Sequence, residues 1–165
     1  MAQQFPSSNL FVVRPLDNQK SAVADNLESV GTVEELGSEE LLLLQTRQTP
    51  ANAEAAWRDV REALNETGNV QPVLLDETGE SHYPTGEVTV RFHKAQTDEE
   101  LQRFASKNNL RLRHRNQFMP QQIVFDVVDA NERYLPKIVE EVAEQDEVKN
   151  AWANTLSRYK RISQA

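Results

Sequence analysis

A chain of 165 residues, 38% hydrophobic and 27% charged, has room for one ordinary domain or two very small ones with modest cores. Its net charge of −8 excludes a chain-wide phosphate-binding surface, so nucleic acid is not an expected partner. It has no cysteine, which excludes disulfides, thiolate metal sites and cysteine nucleophiles.

The stretch Met1–Ser8 is polar, holds Pro6 and reads as a loose arm. It lacks a basic n-region and an apolar h-region, so no signal peptide is expected and the cytoplasm is the expected compartment. Leu10–Val13 is a short apolar strand, followed by a weak helical stripe of Val23, Ala24 and Leu27 that Asp17 can cap. Gly31 and Gly37 bracket a short piece containing Val33 and Leu36. Leu41–Leu44 is dense enough for a strand buried on both faces, and far too short to cross a membrane.

Thr49 and Pro50 then read as the N-cap and first residue of a helix. Ala53, Ala56, Trp57, Val60, Ala63 and Leu64 make its apolar stripe, and Thr67-Gly68 its stop. Val70–Leu75 is a strand in which Pro72 argues for an edge position. Residues 76–85 read as a linker.

From Gly86 the order repeats. Val88, Val90 and Phe92 alternate with Thr89, Arg91 and His93, the pattern of a half-buried strand. Thr97 and Glu100 form a capping box for a helix running to about Asn108, which buries Leu101, Phe104 and Ala105. A strand with Leu110 and Leu112, a turn at Asn116-Gln117, and the dense strand Ile123–Val128 follow. Leu135, Ile138, Val139, Val142 and Ala143 build the last helix, whose regular part starts near Arg133 because Pro136 would cost a bond further in. Val148–Asn154 closes the unit.

Both halves thus read strand–helix–strand–strand–helix–strand. The expected class is α+β: two tandem ferredoxin-like units with antiparallel four-stranded sheets, residues 1–80 and 81–165, offset by roughly 77 residues. Arg14 falls opposite Arg91, Leu27 opposite Phe104 and Val70 opposite Val148.

Catalysis finds little support in the residues. His82, His93 and His114 have no metal-site spacing, the five glycines form no phosphate loop, and no nucleophile elbow is present. Pairs such as Glu99-Glu100 and Glu140-Glu141 belong to solvated helix faces. Arg111-Leu-Arg-His-Arg115 is the one basic cluster, and without aromatics beside it the charged outer face of a strand is the better reading than RNA recognition. Trp57 is expected in the core, while Trp152 lies close to the tail. No catalytic residue, metal, cofactor or membrane partner is expected.

The second half resembles the propeptides of subtilisin-like serine proteases, a family that also has stand-alone inhibitors. The likeness rests on Val88-Thr-Val-Arg-Phe92, the capped helix Thr97–Asn108, and Val148-Lys-Asn-Ala-Trp-Ala-Asn154, set against a closing pattern V-x-x-A-x-P-N. Val148, Ala151 and Asn154 match, and Ala153 replaces the usual proline. Tyr83-Pro-Thr-Gly86 also looks like the lead-in to such prodomains. The likeness covers residues 83–162, and the first half only by pattern. It implies a sheet face packed on surface helices of a protease, here through Thr89, Arg91, His93 and Trp152. It further implies a tail lying in the substrate cleft, here Arg158, Tyr159, Lys160, Arg161 and Ile162. No protease domain follows, so action in trans as inhibitor or folding chaperone is expected. The other readings are a tandem small-ligand sensor of the amino-acid-binding type and an oligomerisation scaffold.

Overall fold

The computed structural model describes residues 4–36, 41–47 and 52–157. They divide into two compact units, residues 4–84 with 155–157, and residues 85–154. The class is mixed α and β, with four α-helices among the described residues and antiparallel strand pairing.

In the first unit, β1 (Gln4–Pro15), α1 (Lys20–Leu27), β2 (Gly31–Leu36), β3 (Leu41–Thr46), α2 (Ala53–Leu64) and β4 (Gly68–Asp76) follow one another, and the strands lie in the order β2-β3-β1-β4. The supposed loose arm is not one from Gln4 onward: residues 4–6 pair with Leu74–Asp76, so β1 runs twelve residues with a register shift between Pro6 and Phe11. Phe11 and Val13 face Leu44 and Leu42, while Val12 faces Leu43, so apolar side chains line both faces of β1 and β3. Gly31 opens β2 because a Cβ there would stand 2.1 Å from the Gln45 carbonyl oxygen.

Several end signals differ from expectation. The helix α1 has Gln19 at its N-cap with no side-chain cap, so Asp17 does not serve. Asn52 caps α2, its Oδ1 accepting from the Glu54 and Ala55 amides at 2.8 and 3.1 Å. Thr49 and Pro50 lie outside the described residues. α2 ends at left-handed Asn65 (φ 51°), an asparagine doing what glycine usually does, and Gly68 instead opens β4. Trp57 is core, its Nε1–H donating to the Val70 carbonyl at 2.8 Å.

Most of the expected linker is a hairpin. β5 (Ser81–Phe92) begins by pairing Ser81 and His82 with Leu75 and Leu74. The turn is closed by Asp76, whose Oδ1 accepts from the Thr78 amide, the Thr78 hydroxyl and the Glu80 amide at 2.9, 2.6 and 3.0 Å. Its Oδ2 meets His82 Nε2 at 2.9 Å. These bonds, that to His82 foremost, hold the Asp76 carboxyl well below the usual carboxylate range. Because β5 starts inside the first unit, the compact units divide at 84/85 rather than at 80/81.

The second unit takes β5 onward through α3 (Asp98–Asn108), β6 (Leu110–Arg115), β7 (Gln122–Val127), a 3₁₀ turn (Ala130–Glu132), α4 (Leu135–Ala143) and β8 (Val148–Ser157). Its strand order is β6-β7-β5-β8. The capping box forms as expected: Glu100 N–H donates to Thr97 Oγ1 at 3.1 Å, and Thr97 N–H donates to Glu100 Oε1 at 2.8 Å. α4 begins at Leu135, which puts Pro136 in the first turn, where no amide partner is needed, so the helix has no regular part at Arg133. Val88, Val90 and Phe92 point into the core, where the Phe92 ring meets Phe104 edge-on at 5.0 Å and Phe104 meets Phe125 at 5.5 Å.

Candidate functional site

The odd positions of β5 face away from that aromatic core. Register pairs Glu87 with Asp126, Thr89 with Val124 and Arg91 with Gln122 across to β7, so these side chains share the outer face. Beyond β7, Arg113 sits at an irregularity of β6, between Leu112 and His114. The extra residue turns its side chain across the sheet. Its Nε meets Glu87 Oε2 at 2.7 Å and its guanidinium reaches Asp126 Oδ2 at 3.1 Å.

On the other side of β5, Asn154 of β8 closes the network. Its Nδ2 donates to Glu87 Oε1 at 3.0 Å, and its Oδ1 accepts from the Thr89 hydroxyl at 2.6 Å. Thr89 is therefore only 3% exposed, and its hydroxyl already has a partner. As a contact available to another protein it is withdrawn. Arg91 lies half-buried, donating to Gln122 Oε1 at 2.9 Å with its guanidinium carbon 5.6 Å from the Trp152 ring centre. Its Nε is buried without a partner. Trp152 beside it is half-buried, and His93, just past the end of β5, is exposed.

Of the expected contacts, then, Arg91, His93 and Trp152 present surface on this unit, while Arg158, Tyr159, Lys160, Arg161 and Ile162 lie outside the described residues. Arg91 and Trp152 are in contact. The basic cluster is largely neutralised: Arg113 is held by Glu87 and Asp126, and Arg115 by Asp98 and the Gln96 carbonyl. No three His, Asp or Glu side chains come together as a metal site among the described residues. No described helix is long and apolar enough to cross a membrane.

In the first unit, a cleft of about 320 Å³ is lined by Ser29, Thr46, Arg47, Asp59 and Val60, with Arg47 donating to the Ser29 carbonyl at 3.0 Å. Sequence patterning does not reveal Glu87, Asp126 and Asn154 as a linked set. Glu87 continues the Thr89–Arg91 alternation and is legible, but its partners are fixed only by strand order. No protein-family model matches the chain, and no curated protein matches it.

Proposed function

We propose that the chain is a tandem pair of ferredoxin-like units. It binds a subtilisin-like serine protease in trans, as inhibitor or folding partner, without catalysing a reaction itself. The strand orders β2-β3-β1-β4 and β6-β7-β5-β8 support the fold reading. Numbered within each unit, both are 2-3-1-4, the order of a split βαβ sheet.

The observation that carries the functional reading is the outer face of the second unit. The Arg91 guanidinium lies 5.6 Å from the Trp152 ring centre there, on the side of the sheet away from the aromatic core, and His93 is exposed just past the end of β5. Aromatic and arginine side chains are the residue types that anchor protein interfaces. The residues beyond β8 supply the second half of the reading. An extended peptide entering a protease cleft gains strand-like backbone bonds while alternate side chains fill pockets.

The test is a titration of a panel of subtilisin-like proteases with the full chain and with a chain ending at Ser157. The shorter chain keeps Leu156, which packs on the apolar cluster of the first unit. The expected result is inhibition by the full chain and inhibition at least about tenfold weaker by the shorter one, since loss of a peptide segment from a cleft removes more than about 1.4 kcal/mol of binding. Equal inhibition by both, or none by either, would sink the tail mechanism.

A further inference from the structure

Phe118 stands 96% exposed at the tip of the β6–β7 hairpin, the most exposed large apolar side chain among the described residues. Met119 beside it is 36% exposed. The loop that carries them is not slack. Asn116 Oδ1 accepts from the Phe118 and Met119 amides at 2.9 and 3.1 Å, and the Asn116 amide donates to the Gln122 carbonyl at 3.2 Å. The Gln122 amide donates back to the Met119 carbonyl at 2.9 Å, and the Phe92 amide to the Gln121 carbonyl at 2.8 Å. An asparagine side chain that bonds two amides ahead of it fixes a turn locally. The aromatic ring is thus held out into water by backbone already ordered, so a partner that buried it would not have to order the loop.

The tip also has a definite place in the unit. The Phe92 amide is bonded to Gln121 and the Arg91 side chain to Gln122, so the hairpin rises at the end of the outer face where Arg91 and Trp152 lie. We propose that Phe118, flanked by Met119, is an anchor that enters an apolar pocket on the protease docking on this face. This inference rests on the docking reading given above.

The charge around the tip argues for a protein pocket over an anionic lipid surface. Arg113 and Arg115 on the hairpin's first strand are engaged by Glu87, Asp126 and Asp98. The neighbouring α3 begins Asp98-Glu99-Glu100, and the chain carries a net charge of −8, both repelled by anionic headgroups. A second copy is the poorer occupant, because a chain of net charge −8 repels its own copies.

The experiment compares the full chain with its Phe118→Ser and Phe118→Leu variants. Three readings are taken: inhibition of the protease panel, sedimentation velocity, and co-sedimentation with phosphatidylserine–phosphatidylcholine vesicles. Phe118→Ser is expected to weaken inhibition by about tenfold or more, the loss typical of an interface anchor, and Phe118→Leu to recover most of it. The melting temperature should not change, since a side chain this exposed holds nothing in the fold. Inhibition by the wild type that Phe118→Ser leaves intact overturns the anchor and spares the docking reading. A wild type inert toward every protease overturns both. Vesicle binding or self-association that disappears in Phe118→Ser overturns the protease pocket in favour of a membrane or a second copy.

Discussion

In the first unit, Leu10 and Val12 of β1, Leu41 and Leu43 of β3, and Val73 and Leu75 of β4 belong to a cluster that contains no helical residue among the described residues, with Tyr83 and Leu156 packed into it. In the second unit, the face turned away from the aromatic core carries Glu87, Thr89, Arg113, Asp126 and Asn154, tied together by hydrogen bonds and ion pairs, with Arg91 alongside bonded to Gln122. Two sets of strands in the same order thus solve the second-face problem differently. Strands covered on both sides can be apolar throughout, whereas a strand with one wet face must alternate. Burial of Tyr83 against this cluster also pushes its hydroxyl pKa up. The polar face is the one on which function is proposed, because the charges of Glu87, Arg113 and Asp126 are paired there while Arg91, beside Trp152, keeps a group that the fold leaves unmet.

The sharpest way to break the comparison is to give the apolar face the chemistry of the polar one. Val73 is fully buried in a cluster whose described members are all aliphatic apart from Tyr83, so a carboxylate there meets no cation among them. Val73→Asp is expected to cost more than about 4 kcal/mol, the range reached only when an unpaired charge or a large cavity enters a core. Urea unfolding followed by fluorescence would read it, with Trp57 reporting the first unit and Trp152 the second. Loss of less than about 1 kcal/mol would mean that the face is open to water, and the contrast between the units would fall.

This difference is partly legible in the residues. Leu10–Val13 and Leu41–Leu44 do not alternate, and an unbroken apolar strand announces burial on both faces. Val88-Thr-Val-Arg-Phe92 does alternate, and announces one wet face. The capping box at Thr97 is legible because it is local, its two partners lying three residues apart. What escapes the sequence depends on strand order. That Asn154 meets Glu87 and Thr89 requires β8 to lie beside β5, across more than sixty residues of chain. The Asp76 hairpin reads as a linker because its turn residues, Glu77-Thr-Gly-Glu80, have a linker's composition, while the clasp is one carboxylate collecting four bonds. Phe118 is visible as an aromatic in a polar turn, but only its bonded loop distinguishes a presented ring from an accidental one.

A smaller effect is expected where the polar network is cut at its most connected member. Asn154→Ala leaves the Thr89 hydroxyl, closed from solvent, without an acceptor, and removes a donor from Glu87. A buried donor stripped of its partner costs about 1–3 kcal/mol. Thermal and urea unfolding of Asn154→Ala, and of Asn154→Ala combined with Thr89→Val, would check this. The double variant also removes the orphaned hydroxyl and should recover part of the loss. If it is no more stable than Asn154→Ala, the hydroxyl bond is not what the asparagine supplies.

The smallest stability change is expected at Arg91, for a reason that returns to the choice between a structural and a docking face. Its guanidinium gains a hydrogen bond to Gln122 and a place over Trp152, a cation–π contact of roughly 0.5–1 kcal/mol when partly exposed. Against this stands its Nε, buried with no partner, a penalty of about 1–3 kcal/mol by itself. The two contributions oppose one another, so Arg91→Met, which keeps the stem and drops the head group, should shift stability by no more than about 1 kcal/mol in either direction. A side chain whose head group the fold does not need, held beside an accessible tryptophan, is accounted for by something outside the fold. Inhibition of the protease panel should therefore fall by about tenfold or more in Arg91→Met while unfolding stability moves by no more than about 1 kcal/mol, as expected for an interface arginine. Destabilisation beyond about 2 kcal/mol would instead make Arg91 a structural member of the network. The outer face of the second unit would then serve its own fold, in the way the apolar face of the first unit does.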